Sequence, residues 1–92
     1  MDPSTNHPPE DLAEWILGCR FRTTRMGRSY RVEQVDDFLD HVAQYSSDRL
    51  TARRLMGEVA GKKFDTVRFG TGYSIEDVDT FMQLLQDALR RV

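Results

Sequence analysis

Phe21-Arg22-Thr23-Thr24-Arg25-Met26-Gly27-Arg28-Ser29-Tyr30-Arg31-Val32-Glu33-Gln34-Val35-Asp36-Asp37-Phe38-Leu39 is the stretch from which the fold can be read, because the chain writes it twice. At an offset of 43 residues, from 21 to 64, it returns as Phe64-Asp65-Thr66-Val67-Arg68-Phe69-Gly70-Thr71-Gly72-Tyr73-Ser74-Ile75-Glu76-Asp77-Val78-Asp79-Thr80-Phe81-Met82. Phe, Thr, Arg, Gly, Tyr, Glu, Val, Asp and Phe recur in register without a gap. Met26/Phe69, Val32/Ile75, Leu39/Met82 and Val42/Leu85 stay apolar. A tandem duplication gives each unit a partner of its own shape within one molecule.

The likeness extends outward on the N-terminal side, where Leu12/Leu55 and Gly18/Gly61 keep the same offset. The repeating unit is therefore helix, glycine, extended Phe-to-Tyr segment, helix. The chain is expected to divide into a disordered tail over 1–9, a first repeat over 10–47 and a second over 48–92, the two repeats forming one compact domain. The tail holds all three prolines, Pro3, Pro8 and Pro9. Pro9 suits a first helical turn, and Glu10 and Asp11 suit the positive end of the helix dipole.

Leu12, Trp15 and Ile16 share one face of a short helix closed by Gly18. From Arg20 to Tyr30, Thr23, Thr24, Gly27 and Ser29 do not sustain a helix. The counterpart over 62–73 carries the strand formers Phe64, Val67, Phe69 and Tyr73 with turn residues Gly70 and Gly72. One short strand from each repeat is expected to pair with the other, giving a small β-ribbon that needs helices packed on it. Each Tyr is followed by a helix. Ser74 is a good N-cap, with Asp77 in the place of a capping-box acid. Arg31 holds the same position in the first repeat and cannot accept a backbone bond, which leaves Gln34 to reach back. After a break at Tyr45-Ser46-Ser47-Asp48, Asp48 or Thr51 starts a further helix through Leu55, Met56 and Val59, ended by Gly61. The fold class is mostly α with a small β-ribbon (α+β), built from helix–extended loop–helix repeats packed with pseudo-twofold symmetry.

Val32, Val35, Leu39 and Val42 step by three, four and three residues, and Ile75, Val78, Met82, Leu85 and Leu89 repeat that rhythm. This spacing makes a seam for packing against another helix, too short for a free-standing coiled coil. An ordinary amphipathic helix in a small core has the same signature.

The chain has 92 residues, a hydrophobic content of 39% and a net charge of −2, so nothing in its overall balance draws it to nucleic acid or membrane. Its one cysteine, Cys19, cannot form an internal disulfide and fits a reducing cytosol. No run approaches the roughly 18 apolar residues of a membrane span, and the N-terminus lacks the basic start and apolar core of a signal peptide. No catalytic, cofactor-binding or metal-binding set emerges. His41 lies near Asp37 and Asp40, too few ligands for a metal, and no phosphate loop or nucleophile motif is present. The chain is expected not to be an enzyme and to need no cofactor.

The shared string Phe-x-Thr-x-Arg-x-Gly-x-x-Tyr, followed by an acidic helix start and Val-Asp-x-Phe, resembles the N-terminal domain of the DivIVA family, bacterial scaffolds of cell division and polar growth. Gly72-Tyr73 and Val78-Asp79-Thr80-Phe81-Met82 carry the likeness in the second repeat; Tyr30 and Val35-Asp36-Asp37-Phe38-Leu39 carry it in the first. The resemblance implies a dimerising domain whose loops cross at the tip of a parallel coiled coil, a tip that inserts a Phe into the membrane beside a basic residue. The nearest counterparts are Met26 with Arg25 and Arg28, and Phe69 with Arg68. The first helix is expected to stop near Tyr45, without the long coiled-coil tail of the family.

The charge pattern points to the same loop. Arg20, Arg22, Arg25, Arg28 and Arg31 are five positive charges in twelve residues with no acid among them. Such a loop suits anionic lipid, at about 1 kcal/mol per basic residue near the surface. Alternatives are nucleic-acid phosphates and ion pairs with Glu33, Asp36, Asp37 and Asp40. The contact set is then Arg20, Arg22, Arg25, Met26, Arg28, Arg68 and Phe69. The expected function is a non-catalytic protein-interaction scaffold in the cytoplasm, peripheral at the inner face of a bacterial membrane. Its expected partners are proteins, a second copy of the chain among them, and an anionic membrane surface. A nucleic-acid-binding module and a small self-associating domain are the alternatives, nucleic acid being the unfavoured partner.

Overall fold

The computed structural model describes residues 12–46 and 48–91. The tail over 1–9 and the helix start at Pro9, Glu10 and Asp11 lie outside the described residues. In chain order the elements are α1 (Leu12–Leu17), β1 (Thr23–Thr24), β2 (Ser29–Tyr30), α2 (Val32–Tyr45), α3 (Arg49–Gly61), β3 (Thr66–Val67), β4 (Gly72–Tyr73) and α4 (Ile75–Arg90). The fold is α+β and mostly helical, as the repeat pattern predicts.

The two long helices after each Tyr start differently, as their cap residues dictate. The Ser74 hydroxyl accepts the Asp77 amide at 3.2 Å, whereas Arg31 makes no side-chain cap bond. Two details depart from the capping pattern. Gln34 does not reach back to Arg31; it binds Asp65 of the other repeat, and the Arg31 amide donates to the Asp65 carbonyl at 3.2 Å. Nor does the Asp77 carboxylate close a capping box, because the Ser74 amide already donates to the Arg22 carbonyl at 2.8 Å. Both groups are drawn across to the neighbouring repeat instead. At the break, the Ser46 hydroxyl and amide cover the Ala43 carbonyl and end α2.

The sheet is richer than a two-stranded ribbon. Gly27 (φ 75°) and Gly70 (φ 96°) take left-handed turns that only glycine adopts cheaply. Each extended segment is thereby split into two strands. The sheet order is β1-β4-β2-β3, all pairs antiparallel, with Thr23 opposite Tyr73, Thr66 opposite Tyr30, and Tyr30 opposite Tyr73 at the centre. Strands of one repeat never pair with each other. β1 and β2 flank β4, and β3 and β4 flank β2, so each repeat completes the other's sheet.

Pseudo-twofold symmetry shows in the contacts. The Tyr30 hydroxyl donates to Asp79 and the Tyr73 hydroxyl to Asp36, both at 2.8 Å. Phe21 lies 5.1 Å from Tyr73 and 5.6 Å from Phe81, and Phe64 lies 5.5 Å from Tyr30 and 5.8 Å from Phe38, centroid to centroid. These are mirrored aromatic clusters, each ring pair contributing about 0.5–1.5 kcal/mol beyond area burial. The surroundings have diverged: Trp15 stacks on Phe81 at 4.9 Å, while Lys62 sits over Phe38 and Phe64 on the other side.

α1 packs along α2 and α3 along α4, with α2 also touching α3. The seam residues Val35, Leu39, Val42, Val78, Met82, Leu85 and Leu89 are buried, in one cluster with Leu12 and Ile16 of α1 and Ala52, Leu55 and Val59 of α3. Val32 and Ile75, at the helix starts, are half-buried. The seams thus close one shared core.

Candidate functional site

The segments that join β1 to β2 and β3 to β4, 25–28 and 68–71, are equivalent loops. In the first, the Thr24 hydroxyl accepts the Met26 amide at 3.2 Å and donates to the Met26 carbonyl at 3.1 Å, drawing the turn tight before Gly27. Val67 stands in that place in the second, which turns at Gly70 without the hydroxyl. Both turns drive an apolar side chain outward: Met26 is 84% exposed and Phe69 85%. They are the most exposed of the large apolar residues described, against a core cluster largely closed to solvent.

The arginines separate into groups. Arg22 is engaged across the repeats: its backbone amide and Nε reach Asp77 Oδ2 at 2.9 and 3.1 Å, and its Nη2 reaches Oδ1 at 2.8 Å. This bidentate pair holds the Asp77 carboxyl down at about 2 and raises the Arg22 guanidinium. Arg20 donates to the Cys19 carbonyl at 3.3 Å. Arg25, Arg28 and Arg68 are exposed and have no ion pair or hydrogen bond among the described residues. Glu33, Asp37 and Asp40 take none of the loop arginines, and Asp36 is held by Tyr73. In the chain, Arg25 and Arg28 flank Met26 and Arg68 precedes Phe69, so each exposed tip has a basic neighbour without a partner among the described residues. Met26 and Arg28 also border a shallow depression of 410 Å³ with Arg22, Ser74, Ile75 and Glu76 at the start of α4.

Beneath the loops, Tyr30 and Tyr73 are each pushed up to about 12, first by burial and then by the Asp79 and Asp36 carboxylates. The sequence marks these tyrosines as residues that precede helices and the acids as part of the helix starts. The local pattern names neither the bond from each tyrosine to the acid of the other repeat nor the Arg22–Asp77 pair. A signal existed, since Tyr and Asp recur six residues apart in both copies.

His41 binds Glu58 at 3.0 Å and lies 5.4 Å from the Tyr45 ring. Burial, first among the causes, raises the Cys19 thiol, which opposes thiolate activation. No cluster of three or more His, Cys, Asp or Glu placed to hold a metal occurs among the described residues. No described helix is long and apolar enough to cross a membrane. No protein-family model, curated protein or solved structure matches the chain.

Proposed function

We propose that this chain is a non-catalytic scaffold module of bacterial cell division or polar growth that touches the anionic inner face of the membrane through its paired loops. It rests there as a cytoplasmic, peripheral protein and offers its remaining surface to protein partners. The observation that carries the reading is the pair of exposed apolar tips, Met26 and Phe69, set at equivalent positions next in the chain to Arg25, Arg28 and Arg68, which have no partner among the described residues. An exposed apolar tip with a basic neighbour in the chain matches an interface with anionic headgroups above acyl chains. The DivIVA-like residues of both repeats support the same assignment.

Magnitudes set the strength. Three arginines at about 1 kcal/mol each and two partly inserted apolar side chains at about 1.5 kcal/mol each total about 6 kcal/mol. That lies between the roughly 4 kcal/mol of a millimolar and the roughly 8 kcal/mol of a micromolar complex. One copy binds weakly and reversibly, and stable attachment calls for several copies in an assembly.

Co-sedimentation with phosphatidylglycerol-rich vesicles, beside phosphatidylcholine vesicles and a duplex-DNA shift assay across salt, tests the reading. Binding to the anionic vesicles alone is expected, lost in Met26→Ser/Phe69→Ser and in Arg25→Ser/Arg28→Ser/Arg68→Ser. Binding to neither target leaves a purely protein-binding module. Salt-dependent binding to DNA alone replaces the membrane with nucleic acid.

A further inference from the structure

We propose that the pairing surface is heterotypic: the first repeat takes a partner with glycine at the place of Gly72 and an acid at the place of Asp77, and neither repeat accepts a second copy of itself. Two divergences between the copies, both on the pairing surface, carry this.

The first is steric. Ser29 and Gly72 are equivalent positions, and they face each other at the centre of the sheet. Ser29 is fully buried and its hydroxyl has no hydrogen-bond partner among the described residues. A Cβ added to Gly72 would collide with the Ser29 Oγ and stand 2.7 Å from the Ser29 Cβ and 2.6 Å from the Tyr30 carbonyl oxygen. The axis has room for one side chain. Two first repeats would bring two serines there.

The second is electrostatic. Position 22 meets position 77, and its equivalent 65 meets 34. Both contacts keep a bond from the backbone amide: Arg22 to the Asp77 carboxylate at 2.9 Å, and Asp65 to the Gln34 amide oxygen at 2.7 Å. The side chains then differ. Arg22 is bidentate on Asp77, whereas the Asp65 carboxylate accepts from Gln34 Nε2 at 2.9 Å. Two second repeats would set Asp65 against Asp77 at both contacts, carboxylate on carboxylate. Two first repeats would set Arg22 against Gln34, which is tolerable, so serine alone rejects that pair. Each wrong pairing meets its own repulsive element, and the mixed pairing meets neither.

Urea unfolding of full-length variants tests this. Gly72→Ser recreates the first-with-first axis and is expected to lose at least a hundredfold in the folding equilibrium constant, or its cooperative transition. Ser29→Gly/Gly72→Ser moves the one side chain to the other repeat and is expected to recover at least tenfold. Arg22→Asp recreates the second-with-second contact and is expected to lose about tenfold at low salt and less at 1 M salt. Arg22→Asp/Asp77→Gln copies the Asp65–Gln34 contact and is expected to return within threefold of the parent. Single variants without cost, or either double variant no more stable than its single parent, would overturn the proposal.

Discussion

Tyr30 and Tyr73 are the residues through which each repeat grips the other's helix. Their hydroxyls donate to Asp79 and Asp36, and burial with those carboxylates raises both phenols from 10 to about 12. The folded chain keeps protons that the unfolded chain releases above pH 10. This stabilisation is complete below about pH 10 and is lost as the pH climbs toward about 12. Tyr30→Phe is expected to cost about 1 kcal/mol at neutral pH and to flatten the alkaline limb of stability against pH, measured by urea unfolding at a series of pH values. Asp77 works in the opposite direction. Its carboxyl is held at about 2 against an ordinary 3.8, chiefly by the Arg22 side chain. Its stabilisation is whole above about pH 4 and fades as the pH falls toward about 2. Asp77→Asn is expected to flatten that acid limb in the same titration. The repetition of Tyr and Asp at one spacing was legible, but their partners lie 49 and 37 residues away and no local pattern names them.

At the scale of the element, local chemistry accounts for most of what is seen. The seam residues, the glycines at 27 and 70 and the break after Tyr45 all act as their residue types require. The helix starts offer a direct test because the copies differ at one position. Ser74→Ala is expected to cost about 1 kcal/mol by leaving the Asp77 amide unmet, and Arg31→Ser to gain about as much by capping α2. Thermal melts should show shifts of opposite sign, of about 4–8 °C for a domain of this size. The strands were only half legible. Extended residues and turn glycines mark each segment as β, yet two-residue strands carry too little pattern to specify order or neighbour. Their pairing is set by the helices that press the segments together.

The whole molecule is expected to unfold as one cooperative unit, because neither repeat owns a complete sheet. Leu85 is fully closed off from solvent. Leu85→Ala is expected to cost about 2–5 kcal/mol and to lower both repeats in one transition. Trp15 fluorescence, reporting on the first repeat and its stack on Phe81, should coincide with the loss of helical circular dichroism. Separate transitions would show that the repeats fold independently. The sequence by itself determined the duplication, the helices, the apolar seams and the two glycine turns, since periodicity, capping and turn chemistry act over a few residues; Phe69, a strand former by type, lies instead in the exposed loop between β3 and β4. Only the tertiary structure decided that the strands interleave, that Arg22 is bound to Asp77 while Arg25, Arg28 and Arg68 find no partner among the described residues, and that Ser29 meets Gly72 at the axis. Those outcomes depend on two surfaces meeting across residues such as 22 and 77, which are 55 apart in the chain. Such a meeting is governed by shape and charge at contact rather than by any local pattern.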